Sequence, residues 1–220
     1  MYSFANREDT LVVDEPMYAY YLQKSGVTYH PGTQEILDAL PRELEDVKRE
    51  LIFQEIERPV YFIKGMAHHY IDMSLDFLLD LTNVFLIRNP YELITSFSKV
   101  IKEPTMRDIG LKKEWEICSY LHDRGQKVIV LDSNDIVSDP GKKLGELCER
   151  LSIPFSQRMI QWDAGPIKED GVWAKYWYAN VWRSTGFVKK KRGVHRQMPE
   201  HLEDLYAESL VYYNKLSLFK

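Results

Sequence analysis

The sequence lacks the features that define membrane, secreted and zinc-dependent proteins. No apolar run reaches the roughly 18 residues of a membrane-spanning helix, and no signal-peptide pattern begins the chain. Its two cysteines, Cys118 and Cys148, are too few for a disulfide framework or a four-cysteine zinc site. Long linkers and internal repeats are absent as well. We therefore expect one domain over residues 1–220, cytoplasmic, with no metal and no membrane span.

The charge is close to balanced, which excludes another class of function. Acidic residues number 33 and basic residues 29, so the formal net charge of −4 gives no electrostatic reason to bind nucleic acid. Hydrophobic residues make up 45% and charged residues 28%, which is not the composition of a disordered or fibrous chain. We expect a globular protein whose partner is a small molecule, and the sequence does not indicate its oligomeric state.

Short apolar runs alternate with longer segments of helical period. Near-continuous apolar runs are typical of strands covered on both faces, and they occupy residues 11–13, 60–63, 84–87 and 128–131. Helical patterns occupy residues 33–55, 71–81, 91–102, 107–124, 141–151 and 199–216. This alternation predicts an α/β fold with three layers, α/β/α, around a parallel sheet. Residues 163–196 have weak periodicity and three of the five tryptophans, which predicts an ordered functional loop.

The residues that follow each predicted strand are the first candidates for a site, because open α/β sheets bind ligands at the carboxyl ends of their strands. Arg88 follows the third run, and Ser96 comes two helical turns later, after Pro90 has set the first turn. A guanidinium and a hydroxyl placed in this way can bind a phosphate. Alternatively, Arg88 pairs with Glu92 while Ser96 caps the helix or faces solvent, and the spacing alone favours neither interpretation.

The whole segment resembles the 3′-phosphate-binding motif of the PAPS-dependent sulfotransferases. In that family an arginine after a strand and a serine two turns later bind the 3′-phosphate of 3′-phosphoadenosine-5′-phosphosulfate (PAPS). Residues 128–155 resemble a later region of the family, and residues 4–10 and 13–18 are similar to sulfotransferase-like proteins that some plants fuse to an aminotransferase-like domain. The resemblance implies a P-loop-like α/β fold, PAPS as the sulfuryl donor, no metal, and 3′-phosphate binding by Arg88 and Ser96.

A run of four cations at residues 189–192 precedes Gly193. Adjacent like charges repel, so such a run is either solvated or faces an anion. Sulfotransferases carry a Phe-Arg-Lys-Gly-like loop that closes over the 3′-phosphate, and the resemblance implies this role for Arg192 and Gly193, although the Lys-Arg order is reversed. A nucleic-acid interface is a weaker interpretation, because no recognition helix or stacking pattern accompanies the run.

Candidates for acid–base chemistry follow the first two runs. Lys64 ends the second run, where sulfotransferases often carry a lysine with a histidine base a few residues later, here His68 or His69. Adjacent histidines point different ways, so at most one faces a cleft, and without a third ligand they make a poor metal site. Glu15, held out of a helix by Pro16, resembles the glutamate base of some sulfotransferases. The alternatives are structural: a buried histidine at a helix start and a helix-capping carboxylate.

These candidates give a predicted division of roles. Lys64 would stabilise charge near the bridging oxygen of the donor, and Glu15 or His68 would accept the proton of the acceptor, with Glu15 favoured. The acceptor itself is not readable from the sequence. Aromatic residues could line an acceptor pocket, although such residues are more often part of a core: Tyr18, Tyr20, Tyr21, Trp173, Trp177 and Trp182.

One expected part of a sulfotransferase is missing. Relatives wrap the 5′-phosphosulfate with a Gly-Pro-Arg-Asn-x-Ser-Thr-like loop after a central first strand, whereas this sequence starts at what resembles the next helix. We therefore expect the sheet to lack that strand. We also expect the true start of the protein to lie upstream, so that Met1 is an internal methionine. Taken as given, the chain is more typical of an inactive, nucleotide-binding or partner-binding relative. A P-loop kinase would share the fold but need a phosphate loop and a magnesium-binding carboxylate, and neither is evident.

Overall fold

The computed structural model describes residues 1–188 and 198–220. The predicted phosphate-binding residues Arg192 and Gly193 lie outside the described residues. The chain forms two compact units, each assembled from two separate segments. Unit 1 contains residues 1–71 and 144–188, and unit 2 contains residues 72–143 and the described residues 198–220. The single domain expected over residues 1–220 stays a prediction.

Four strands and twelve α-helices are present in the described part of the chain. The strands are β1 (Thr10–Asp14), β2 (Val60–Lys64), β3 (Val84–Ile87) and β4 (Ile129–Asp132). The helices are α1 (Tyr2–Ala5), α2 (Tyr18–Ser25), α3 (Thr33–Ala39), α4 (Leu44–Val47), α5 (Pro90–Phe97), α6 (Met106–Ile109), α7 (Leu111–Asp123), α8 (Ser133–Ser138), α9 (Pro140–Arg150), α10 (Ala174–Trp177), α11 (Ala179–Trp182) and α12 (Glu203–Ser217). A π-helical turn at Lys48–Ile52 continues α4, and 3₁₀ turns occupy Ala67–His69, Asp76–Asp80, Gln157–Met159 and Glu200–Leu202.

In unit 1, β1 and β2 pair in parallel, and their register determines where the charged residues meet. Each strand ends in a charged residue, and the register places Asp14 opposite Lys64. The pairing extends one residue further, because the Glu15 backbone N–H donates to the Lys64 carbonyl at 2.7 Å. Glu15 has a φ of 40°, a left-handed conformation that is costly for a residue with a side chain. The strand therefore ends in a sharp turn that redirects the Glu15 side chain.

The core of unit 1 joins its two chain segments. Tyr18 and Tyr21 of α2, Ile36 of α3 and Trp173 from the second segment pack in one buried cluster. Arg7 is buried beside β1, where its guanidinium donates to Asp9 and also to the backbone carbonyl of residue 154, the latter at 2.7 Å. Because an arginine presents five donors in a rigid plane, one buried side chain can bridge both segments.

In unit 2, β3 and β4 pair in parallel from Val84 opposite Ile129 to Ile87 opposite Asp132. Helix α5 follows β3 directly: the Asn89 side chain accepts a hydrogen bond from the Tyr91 N–H at 3.0 Å, and Pro90 occupies the first turn. Helix α12 packs against α5, α7 and both strands. This packing places α5 and the end of β3 on a supported scaffold.

The structure confirms the α/β class and the parallel pairing, with every predicted strand found within one residue at either end. The described strands form two two-stranded sheets, β1–β2 and β3–β4, where the sequence predicted one sheet. Three helix predictions were wrong: the patterns over residues 33–55 and 107–124 are each divided, and residues 71–81 form no α-helix. Residues 33–55 divide because Leu40, which precedes Pro41, is extended, and residues 71–81 contain only a 3₁₀ turn. In the described part of the chain, no helix is long and apolar enough to cross a membrane.

Candidate active site

Lys64 lies at the centre of a polar cluster in unit 1. Its ammonium group donates to Asp14 Oδ1 at 3.2 Å, to Glu15 Oε1 in a short contact, and to the Tyr178 hydroxyl at 2.6 Å. A lysine ammonium has three donors, and here all three have acceptors within the protein. Asp14 and Glu15 are only 5% and 6% exposed, so the ion pair lies largely out of water. The sequence predicted Glu15 and Lys64 separately, and the structure brings them together.

Tyr178 connects the members of this cluster. Its hydroxyl lies 2.9 Å from both carboxylate oxygens of Asp14 and 3.2 Å from Glu15 Oε1. Burial, Glu15 and Asp14 together raise the pKa of Tyr178 far above its usual value. The phenol therefore stays protonated, and its O–H donates a hydrogen bond to a carboxylate. It can therefore accept from Lys64 and donate to a carboxylate at the same time.

The electrostatics of the cluster change the protonation equilibria of Glu15 and Lys64. Burial raises the pKa of Glu15, against the lowering effect of Lys64. Burial alone lowers the pKa of Lys64, but Glu15 and Asp14 outweigh it and raise that pKa. Two buried carboxyl groups thus lie beside one ammonium. A carboxylate with a raised pKa in such a place takes up a proton more readily than one on the surface.

The histidine that faces Glu15 is His69. Its Nε2 lies 4.0 Å from Glu15 Oε2, and its ring is stacked between Tyr18 and Tyr21 with centroid distances of 4.5 and 4.9 Å. Burial, His68 and Lys64 lower the pKa of His69 well below its usual value, so the ring is neutral. The predicted base His68 is also buried and contacts the Tyr21 ring edge-on at 5.2 Å. Its catalytic role stays a prediction.

Arg88 and Ser96 lie in unit 2, at the positions where a phosphate site was predicted. Arg88 follows the last residue of β3, its side chain is 30% exposed, and its Nε lies 3.5 Å from Glu92 Oε2. The Arg88–Glu92 pair of the alternative interpretation is therefore present, at the outer limit of hydrogen bonding.

Ser96 differs from its neighbouring hydroxyls in and after α5. Thr95 donates to the Tyr91 carbonyl and Ser98 to the Ile94 carbonyl, both within the helix. Among the residues that the structure describes, the half-buried Ser96 hydroxyl has no such acceptor. Phosphate binding by Arg88 and Ser96 stays a prediction, and the guanidinium is paired with Glu92.

Sequence reasoning missed two members of the unit 1 cluster, Asp14 and Tyr178. It also missed the orientation of His69. Asp14 had a signal, because β1 and β2 end in residues of opposite charge and parallel strands align their ends. Tyr178 had none, since it lies 114 to 164 residues from its partners in the sequence and follows a short helix of four residues. Of the aromatic residues weighed as an acceptor pocket, Tyr18, Tyr20, Tyr21 and Trp173 are instead buried in the core.

A comparison with protein families identifies the chain. Residues 1–218 match the family described as the sulfotransferase domain. The chain belongs to the sulfotransferase domain family.

Residues 1–188 and 198–220 contain no group of three or more His, Cys, Asp or Glu side chains that could hold a metal ion.

Two plant proteins and one solved structure are similar to this sulfotransferase domain. Branched-chain-amino-acid aminotransferase-like protein 1 of Arabidopsis thaliana is 37% identical over 217 residues, and protein 2 is 34% identical. Each match covers 98% of this chain but only 39% or 38% of the relative, so the chain spans about two fifths of their length. A sulfotransferase domain from the curacin biosynthetic pathway is 16% identical, with a TM-score of 0.40, covering 88% of this chain and 77% of that one.

Proposed function

We propose that this domain transfers a sulfuryl group from PAPS to a hydroxyl or amine of a small-molecule acceptor. The observation that carries the proposal is the end of β3, where the partly exposed Arg88 guanidinium is followed in α5 by the Ser96 hydroxyl, within a chain of the sulfotransferase family. Arg88 and Ser96 would bind the 3′-phosphate of PAPS through charge-assisted hydrogen bonds. Arg192 and Gly193 would complete this site.

The cluster in unit 1 would perform the proton chemistry. In the transfer, the acceptor oxygen or nitrogen forms a bond to sulfur while the bond from sulfur to the 5′-phosphate oxygen breaks, and 3′,5′-adenosine bisphosphate leaves. Glu15 would accept the proton that the acceptor loses, since burial raises its pKa. Lys64 would stabilise the charge on the transferred group or the leaving oxygen. To do so, its ammonium must exchange one of the three acceptors that it has in the protein.

The phosphate site is tested by calorimetry with 3′,5′-adenosine bisphosphate. Arg88→Ala should weaken binding by roughly ten- to a hundredfold, because one charge-assisted contact is worth about 1.5 to 3 kcal/mol. Ser96→Ala should weaken it by about fivefold, as expected for a neutral donor worth about 1 kcal/mol. Arg124→Ala is the matched control, since Arg124 stacks on Tyr120 elsewhere in unit 2. Equal affinity of wild type and Arg88→Ala would remove the assignment.

Transfer itself is tested by the release of 3′,5′-adenosine bisphosphate from PAPS in the presence of phenols, sugars and amines. Glu15→Gln should abolish release while leaving the calorimetric affinity unchanged. If the wild type binds the bisphosphate tightly but releases none from PAPS with any acceptor class, the domain is a nucleotide-binding module, which is the alternative interpretation of the sequence.

A further inference from the structure

Tyr178 contacts Lys64, Asp14 and Glu15, the charged members of the unit 1 cluster. Its hydroxyl accepts from Lys64 and lies within hydrogen-bond distance of Asp14 and Glu15. Of the three acceptors around the Lys64 ammonium, Asp14 and Glu15 come from the end of β1, and only Tyr178 comes from the second segment of the unit. A phenol both donates and accepts, which neither carboxylate can do.

The chain around Tyr178 holds the hydroxyl in place. The neighbouring Tyr176 ring lies over Gly32 so closely that a Cβ there would be 2.4 Å from the ring, and Tyr176 also donates to Glu35 at 3.1 Å. Trp173, at the start of the same short segment, is buried in the core against Tyr18. The residues just before Tyr178 are therefore packed against α2 through Trp173, and against Gly32 and α3 through Tyr176.

We infer that Tyr178 is a positioning residue, whose hydroxyl orients the Lys64 ammonium and the Glu15 carboxylate toward each other. With one proton and two lone pairs, it links the ammonium to the carboxylates and fixes the direction of each. Without it, the third donor of Lys64 would have no acceptor, and Glu15 would lose a donor that stabilises its charged form. The catalytic meaning of this role rests on the proposed function, but the orientation itself belongs to the protein without any ligand.

The test is a titration of the Glu15 carboxyl in the intact chain without ligand, by carbon-13 NMR, with its signal assigned by its loss in Glu15→Gln. In Tyr178→Phe the midpoint of the Glu15 titration should rise relative to wild type. Tyr176→Phe is the matched control, because it removes the same oxygen from the same segment but takes from the exposed Glu35 only one of its two donors, the other being Lys175. Its Glu15 midpoint should equal that of wild type, and equal midpoints in all three proteins would overturn the inference.

A second substitution serves if Tyr178→Phe does not fold. Replacing Tyr178 with 3-fluorotyrosine keeps the ring and the hydroxyl but makes the phenol a stronger donor, so the midpoint of Glu15 should fall. An unchanged midpoint would contradict the inference. Calorimetry of the wild type with 3′,5′-adenosine bisphosphate reports on the proposed function separately, so that a failure to bind nucleotide and a failure of the Tyr178 assignment are distinguishable.

Discussion

The charged residues of unit 1 are interdependent in a way that single-residue motifs do not show. Asp14 and Glu15 are buried beside one ammonium, so removal of Lys64 would leave two carboxylates without a counter-charge. Losing one partner of a buried ion pair is more costly than the pair itself is favourable, because the remaining charge keeps its desolvation penalty. The stability of unit 1 therefore depends on a residue whose proposed role is catalytic.

We expect Lys64→Met to lower the free energy of unfolding by about 3 kcal/mol, measured by urea denaturation at pH 7. Lys175→Met is the control, since Lys175 pairs with Glu35 at 2.6 Å on the surface, where such a pair is worth less than about 1 kcal/mol. The loss in Lys64→Met should shrink at pH 4, because burial raises the pKa of Glu15 and Lys64 no longer lowers it, so that Glu15 takes up a proton. A loss no larger than that of the control would show that the cluster is solvated.

The individual site residues were partly predictable from the sequence, and the reason is local. Lys64, Glu15 and Arg88 each come directly after an apolar run, so the end of a strand marks them. Tyr178 follows no run, and its partners are fixed by packing across the unit. The position of Tyr178 depends on the packing of the Tyr176 ring over Gly32. No periodicity in the sequence predicts that contact.

At the level of elements, two glycines with positive φ allow the effect of packing to be separated from that of backbone strain. Gly32 has a φ of 74° and Gly26 a φ of 64°, but only Gly32 lies under a ring, that of Tyr176. Gly26→Ala should cost about 1 kcal/mol from strain alone. Gly32→Ala should cost about 1 kcal/mol more, because the ring must move. Equal losses in thermal unfolding would show that the Tyr176 ring moves without cost.

Helix α7 carries a carboxyl group that responds to pH. Burial raises the pKa of Glu114 to about 8, and one turn later burial and Glu114 raise the pKa of Cys118 to about 11. Since the folded protein holds the Glu114 proton more tightly than the unfolded chain, this contribution to stability is complete below pH 4.5 and is lost as the pH rises through about 8.

Glu114→Gln should therefore stabilise the protein at pH 9 and have little effect at pH 4. We expect a gain of about 1 to 3 kcal/mol in the free energy of unfolding at the higher pH, measured by urea denaturation. Glu116→Gln is the control on the same helix, because Glu116 is exposed and pairs with Lys113 at 2.9 Å. Equal gains at both pH values would contradict the burial of Glu114.

The strands were predicted well because each is marked by a short apolar run. The helices were predicted poorly where the helical pattern continues across a proline or glycine that ends the helix. The strands are four or five residues of continuous apolar sequence, and both ends are marked by charge or turn residues. The pattern over residues 33–55 kept its helical period across Pro41, although the chain turns there. In the same way, Gly110, with a φ of 78°, divides the pattern over residues 107–124 into α6 and α7.

At the scale of the whole molecule, each unit consists of two chain segments, and a segment of the other unit lies between them in the sequence. Unit 1 begins with residues 1–71 and is completed only by residues 144–188. The second segment contributes the carbonyl that accepts from Arg7, the buried Trp173 and the hydroxyl of Tyr178. A chain that ends at residue 143 retains β1, β2 and the ion pairs of Lys64. It loses the Tyr178 hydroxyl, the carbonyl that accepts from Arg7 and the buried Trp173.

We therefore expect a chain of residues 1–143 to show no cooperative unfolding of unit 1. Its near-ultraviolet circular dichroism should lack the intact protein's signal, because Tyr18 and Tyr21 lose the packing of Trp173. Arg7 would be left with Asp9 as a partner but without the carbonyl of residue 154, at a cost of about 1 to 3 kcal/mol for one buried donor. Adding residues 144–220 as a separate chain should restore the signal. A fragment that unfolds cooperatively, with amide exchange in β1 as slow as in the intact protein, would show that the first segment folds alone and that the second only docks onto it.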